Sequence, residues 1–195
     1  MKAVRMAYNK VVVIDVECTC WESAPPQGQE SEIIEIGVCL LSTQSLEISK
    51  PRRIFITPMM STISEFCTKL TGITPEMITE KGMTKNAACD ILMTEYGMDR
   101  RSWAGWGRDE EAIRREFYVQ PNGSYINIAS LYSLAMNSHR SIGLMDALTT
   151  LGEKFDGIRH TGGADAYNAA KILAHILRGM RNHLSTMRNQ NNDAI

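Results

Sequence analysis

The chain of 195 residues lacks an excess of either charge: 21 Lys and Arg stand against 22 Asp and Glu, a formal net charge of −1. That excludes a generally basic coat for nucleic acid, so a polyanion must be met locally, by a groove or by bound cations. A cysteine framework is also missing. The five cysteines, Cys18, Cys20, Cys39, Cys67 and Cys89, are odd in number and irregularly spaced. Most lie among apolar residues, the pattern of reduced, buried thiols. Cys18 and Cys20 have no second Cys/His pair nearby, which sets aside a zinc site. No apolar run approaches membrane-spanning length, and even IIEIGVCLL is broken by Glu35. The opening MKAVRMAYNK leads into four apolar residues before Asp15, too few for a signal-peptide core. Internal repeats and linker-like stretches are absent as well. A soluble protein without a membrane partner is expected, in the cytoplasm.

What remains is the composition of one globular domain, 44% hydrophobic and 22% charged. Val11 to Glu17 has the β-branched run of a strand. EIIEIGVCLL (32–41) and SLEISKPRRIFITP (45–58) are β-rich and separated by polar STQ, which suggests an antiparallel meander. In FCTKLTGITPEMI, Gly72 marks a turn, Thr74 suits a cap and Pro75 a first helical position. Helices are expected over 85–96, from Asp109 to Phe117, over 129–137, from about Leu144, and over 164–178. Short strands are expected at 101–106 and 125–127. In the Asp109 helix, Glu110 and Glu111 stand i,i+4 from Arg114 and Arg115. A mixed α/β domain over 1–180 and a polar tail over 181–195, expected to fray, complete the division.

The strand VVVIDVECTCWE (11–22) poses the functional question. Side chains alternate faces along a strand, so Asp15 and Glu17 point the same way, immediately after a core run. Two such carboxylates repel, and burying them without partners is costly. Asp109 follows another expected strand at a helix start. His160 and Asp165 lie in HTGGAD, in the loop and first turn of the last long helix. Strand ends and helix starts of α/β proteins are where sites assemble. Four converging carboxylates call for divalent cations, and hard Mg²⁺ or Mn²⁺ suits oxygen ligands. Two such ions clamp the attacking and leaving oxygens of an in-line phosphoryl displacement. An imidazole can take the proton of the attacking water.

Asp15 and Glu17, then Asp109, then His160 with H-x-x-x-x-D to Asp165, resemble in their order the DEDDh exonucleases, the superfamily of the proofreading subunit of bacterial DNA polymerase. Within it the chain is most similar to the Eri-1-like and KapD-type 3′→5′ exonucleases. DVECTCWE stands where the family has D-x-E-A-T-C, with Cys18 replacing alanine. EIIEIGVCLL, FCTKLTGIT (66–74) and GGADAYNAAKIL carry the rest, from about residue 10 to 178. The family's second motif has the form S-W-G-x-x-D, while this chain has WAGWGRDE, with Asp109 as its aspartate and Asp99 further away. The resemblance implies an RNase H-like fold: a five-stranded mixed sheet, three antiparallel strands first, flanked by helices. It implies metal-dependent hydrolysis from a free 3′ end of single-stranded nucleic acid, RNA ahead of DNA, releasing nucleoside 5′-monophosphates. Asp15, Glu17, Asp109 and Asp165 would hold two ions, Mg²⁺ or Mn²⁺, with His160 as general base. Leu70, Thr71, Gly72 and Ile73 would pack against the terminal base and sugar.

Each assignment has a plainer competitor. Asp109 suits a simple helix N-cap, and Asp165 a helix dipole. LTGIT can be only a turn before a helix. Trp21 is a candidate platform for a base, although tryptophan more often fills a core. Met59 and Met60 suit core filling, Trp103 and Trp106 look structural, and His139, His175 and His183 suit surface or helix-face roles. Arg52, Arg53, Arg100, Arg101, Arg178, Arg181 and Arg188 are candidates for phosphate contacts, against the usual solvated role. A non-catalytic nucleic-acid-binding or regulatory protein on the same scaffold would be expected to lose an acid or the histidine, and this chain keeps all five. An unrelated metal hydrolase of small phosphoesters would share the acids without needing LTGIT.

Overall fold

The computed structural model describes residues 7–192. Five strands, β1 (Ala7–Cys18), β2 (Ile33–Ser42), β3 (Arg52–Phe55), β4 (Arg101–Gly105) and β5 (Tyr125–Asn127), form one sheet in the order β3-β2-β1-β4-β5. β1, β2 and β3 are antiparallel neighbours, while β4 runs parallel to β1 and β5 parallel to β4. This is the mixed sheet expected from the sequence, with the three antiparallel strands first.

β1 is central because residues 11–14 are apolar on both faces, as a strand covered on two sides must be. Val12, Ile14 and Val16 pack on one face with α3 (Lys85–Thr94) and α4 (Asp109–Glu116), through Ala88, Leu92, Ile113 and Phe117. Val11 and Val13 pack on the other with α5 (Ile128–Ala135), α6 (Leu144–Thr150) and α7 (Gly162–Asn192), through Tyr132, Leu148, Ala169, Ala170 and Leu173. The period of two therefore points Asp15 and Glu17 toward α7. Two short helices, α1 (Glu65–Thr71) and α2 (Pro75–Lys81), lie between β3 and α3.

α7 comes unusually close to the sheet. A Cβ on Gly37 would lie 1.8 Å from the Gly162 carbonyl carbon and 2.2 Å from the Gly163 nitrogen. Only glycine in mid-strand and a glycine pair opening the helix permit that approach. Cys39, two residues along the same face of β2, donates its thiol to the Ala166 carbonyl at 3.7 Å.

Several expectations change. The segment 181–192 is helical, a continuation of α7, rather than a frayed tail; residues 193–195 of that tail lie outside the described residues. Of 45–58, only Arg52–Phe55 is a ladder strand, with single bridges at Leu41–Ile48 and Ile56–Met83. α1 was not expected as a helix; Ser64 caps it by accepting from the Cys67 amide at 2.9 Å, and Gly72 ends it at φ 71°. Glu110 does pair with Arg114 at 2.7 Å, but Glu111 turns to Arg108 and Arg115 to Glu116. Met59 and Met60 are not core filler, being 80% and 62% exposed. Their backbone is fixed by Glu32, a buried carboxylate accepting from the amides of Met59, Met60 and Ser61 at 2.8–2.9 Å and from Lys85 Nζ at 2.9 Å.

Candidate functional site

Asp15, Glu17 and Asp165 converge. Each offers a carboxylate oxygen within 4.8 Å of the others, two from adjacent same-face positions of β1 and one from the first turn of α7. The Gly37–Gly162 approach places that first turn over β1. Asp109 flanks the group rather than joining the tight triad. It is the first residue of α4, after the cap position held by Arg108, so it is not the N-cap that its type favours. Its Oδ1 accepts the amide of Val16, the residue between Asp15 and Glu17, at 3.2 Å. Its Oδ2 lies 3.4 Å from the Tyr125 hydroxyl, which also donates to the Gly107 carbonyl at 3.0 Å.

The electrostatics are those of an anionic pocket. Burial, then the charges of Asp109, Asp165, Glu17 and Glu35, hold the Asp15 carboxyl well above the usual carboxylate range. Burial and the same neighbours push Glu17 up to about 8. Burial raises Asp109 to about 6 against the Val16 amide and the Tyr125 hydroxyl. Asp165 is raised by burial, opposed by the nearby His160 charge and by backbone amides of His160 and Thr161. Asp15 and Glu17 have no side-chain hydrogen bond among the described residues. Unpartnered, half-buried carboxylates this close together either bind protons or bind cations. An all-oxygen donor set fits hard divalent ions, so Asp15, Glu17 and Asp165, with Asp109 at the edge, are the residues that would hold them.

His160 is exposed in the loop before α7, at φ 58°. A side chain held in the left-handed region is uncommon and costs about 1–2 kcal/mol. Among the other expected contacts, the LTGIT residues divide. Leu70 is 43% exposed and Gly72 is exposed, while Thr71 and Ile73 are buried. The Thr71 hydroxyl donates to the Cys67 carbonyl at 2.9 Å and accepts the Ile73 amide at 3.1 Å, tying the turn together. A cleft of about 300 Å³ runs between Leu70–Gly72 and Ile158, Arg159 and Thr161. Trp21 is half-buried just after β1 and does not line that cleft. Trp103 is fully buried, and Trp106 is half-buried and packs near Tyr132, the structural roles expected.

Sequence reasoning named Arg53 only among the candidates for phosphate contacts and missed its pairing with Glu35 beside the acids. Glu35 is opposite Glu17 in the β1–β2 register and fully buried, and it is paired with Arg53 on β3 at 2.6 Å. A carboxylate inside the otherwise apolar run IIEIGVCLL was the available signal, as was a glycine two residues later.

An exonuclease family model, RNase_T, matches residues 12–173. The 3′-5′ exonuclease Snipper of Drosophila melanogaster is 26% identical over 203 residues, covering 88% of this chain and 70% of the relative. The 3′-5′ exoribonuclease 1 of Homo sapiens is 30% identical over 186 residues, covering 88% of this chain and 53% of the relative, so the chain spans about half of that protein. Among solved structures, the nuclease domain of 3′hExo, a DEDDh family member bound to rAMP, superposes with a TM-score of 0.79 at 28% identity. That match covers 90% of this chain and 94% of the domain. The shared architecture is the RNase H-like fold.

Proposed function

The chain belongs to the DEDDh exonuclease family, as an enzyme of the 3′→5′ type, and from that premise we propose that it shortens single-stranded RNA from a free 3′ end, releasing nucleoside 5′-monophosphates. The observation that carries this is the convergence of the Asp15, Glu17 and Asp165 oxygens within 4.8 Å beside Asp109. RNA is favoured over DNA because the human relative is an exoribonuclease and the matching nuclease domain holds a ribonucleotide.

Two divalent ions, Mg²⁺ or Mn²⁺, would supply charge neutralisation of the scissile phosphate and a more acidic attacking water. The chain's own residues do the rest. The four carboxylates would hold the ions, their positions set by β1 and by the close packing of the start of α7 on Gly37. Tyr125 and the Val16 amide fix the orientation of Asp109. A ring nitrogen of His160 takes the proton from the oxygen of the attacking water, from a loop position open to solvent that can then lose it. Leu70 and Gly72 line the cleft for the terminal base and sugar, with Thr71 and Ile73 holding their turn from inside. Trp21 offers a further apolar surface near the end of β1.

The test is digestion of 5′-labelled single-stranded RNA and DNA with Mg²⁺, with Mn²⁺ and with chelator, beside Asp15→Asn. Stepwise loss from the 3′ end that needs metal and disappears in the variant is expected. Activity that survives Asp15→Asn overturns the assigned site.

A further inference from the structure

Arg53 is the cation that lies against the acid cluster. It sits on β3 opposite Gly37, on the face that carries Asp15, Glu17 and Glu35. Its Nε donates to Glu35 Oε1 at 2.8 Å and its Nη2 to Oε2 at 2.6 Å, a two-pronged clamp on a fully buried carboxylate. The stem is confined too. Its Cζ lies 4.8 Å from the centre of the Phe55 ring, and a Cβ on Gly163 would come within 3.0 Å of its Cγ.

A buried ion pair is weak evidence of stabilisation. This one also sets a fifth carboxylate, Glu35, beside Asp15 and Glu17, and its charge adds to the repulsion on both. What the pair achieves is orientation. With Nε and Nη2 committed to Glu35, Nη1 has no hydrogen bond among the described residues, and the side chain is 34% exposed. The other arginines considered above are differently placed: Arg52 pairs with Glu95, Arg100 with Asp99, Arg101 bonds the Tyr96 carbonyl, Arg181 bonds the Thr43 carbonyl, and Arg178 and Arg188 are exposed on the later turns of α7.

Arg53 lines the 300 Å³ cleft, whose other charged walls are Lys69 and Arg159, with no carboxylate among them. Three cations thus line this cleft, and one of them, Arg53, also pairs with Glu35 on the sheet face that carries Asp15 and Glu17. Arg53 and Ile158 also line a wider cleft of about 550 Å³, together with Ala164, Tyr167 and one carboxylate, Asp156. A guanidinium fixed on one edge is pre-organised to donate from the other, and phosphate oxygens are its best-matched acceptors.

We propose that Arg53, clamped by Glu35, is a substrate-binding residue whose Nη1 edge holds a phosphate of the nucleic-acid chain other than the scissile one. This rests on the exonuclease reading above. It assigns the Glu35–Arg53 pair to selection of polynucleotide over mononucleotide substrates.

The experiment compares kcat/KM for a single-stranded oligonucleotide with that for the p-nitrophenyl ester of a nucleoside 5′-monophosphate, which carries a scissile phosphate and no other. The variants are Arg53→Lys, which keeps a positive charge on Glu35 but loses the second edge, and the double variant Glu35→Met with Arg53→Met, which leaves no buried charge unpaired. In both, the oligonucleotide-to-ester ratio is expected to fall about tenfold, the worth of one charge-assisted hydrogen bond. In the double variant the salt slope of oligonucleotide binding should also shrink by about 0.7, as for one phosphate contact on a single strand. A ratio unchanged in both variants overturns the proposal. If the double variant does not fold, Arg53→Lys alone decides. If the wild type cleaves neither substrate, the exonuclease reading fails separately. Metal-free binding of a labelled oligonucleotide then judges Arg53, and equal affinity in wild type and Arg53→Lys overturns it.

Discussion

Gly37→Ala is the substitution with the sharpest expected effect, although Gly37 touches no substrate. Its new methyl carbon would stand 1.8 Å from the Gly162 carbonyl carbon, 1.9 Å from its oxygen and 2.2 Å from the Gly163 nitrogen. All three are backbone atoms, so no side chain can swing aside. Ordinary contact begins at 3.4 Å, and the start of α7 must therefore retreat by about 1.5 Å. The rest of α7 remains anchored by Ala169, Ala170, Ile172 and Leu173, so the chain should still fold, with an overpacking cost of about 1–3 kcal/mol. Asp165 moves with the first turn, and its oxygen leaves the 4.8 Å group. Misplacing a reacting group by about 1 Å costs about 10²-fold in rate. The expected result is a loss of at least about 100-fold in kcat on labelled RNA, together with a lowered melting temperature. Gly179→Ala is the control. That glycine lies on α7 with nothing within 4 Å of a new Cβ; it should gain about 0.5–1 kcal/mol of stability from helix propensity and keep the wild-type rate. Gly37→Ala with wild-type turnover would refute the claim that backbone approach positions the site.

Further outcomes are expected elsewhere. With chelator, the contribution of Glu17 and Asp15 to stability should be full below about pH 4.5 and fall away as pH rises through about 8, because the folded chain holds protons on them that the unfolded chain releases. Saturating Mn²⁺ should abolish that fall, and a melting temperature that stays flat from pH 5 to 8 in chelator would contradict it. Lys85→Met strips the shared cation from Glu32 and Glu116, which it holds at 2.9 and 3.0 Å; a loss of about 3–5 kcal/mol in urea unfolding is expected, and a loss below about 1 kcal/mol would show the knot to be dispensable. Leu70→Ala should raise KM about fivefold from lost apolar contact, while His160→Ala should lower kcat by about 10²–10⁴-fold. Steady-state kinetics that reversed these two effects would exchange the roles assigned to the cleft and the loop.

The central strand, the acids on its α7 face and the meander were legible because they are local: β-branched runs, a period of two and turn residues all act within a few positions. Asp109 and Asp165 were legible by their place at helix starts, and the sheet's mixed topology by resemblance. What stayed hidden depends on distant partners. Glu35 looks like an interruption of a strand until Arg53 is beside it, and Glu32 looks like a surface acid until Lys85 and three amides surround it. Met59 and Met60 carry an apolar signature, yet that Glu32 network pins their backbone at the surface. α1 is only seven residues long, too short for periodicity to show, although Ser64 and Gly72 were visible as its two caps. The continuation of α7 through 181–192 extends an established helix, which needs no apolar stripe once nucleated, although Asn, Ser, Thr and His in that segment are weak helix formers.

The central claim is that Asp15, Glu17, Asp109 and Asp165 form a seat for two divalent cations. Counting Mn²⁺ bound per chain, by titrating the metal-free protein and following free Mn²⁺ by electron paramagnetic resonance, tests it without any substrate. Two ions per wild-type chain and a clear loss of binding in Asp15→Asn are predicted. Binding of no ion, or the same stoichiometry and affinity in the variant, would contradict the account.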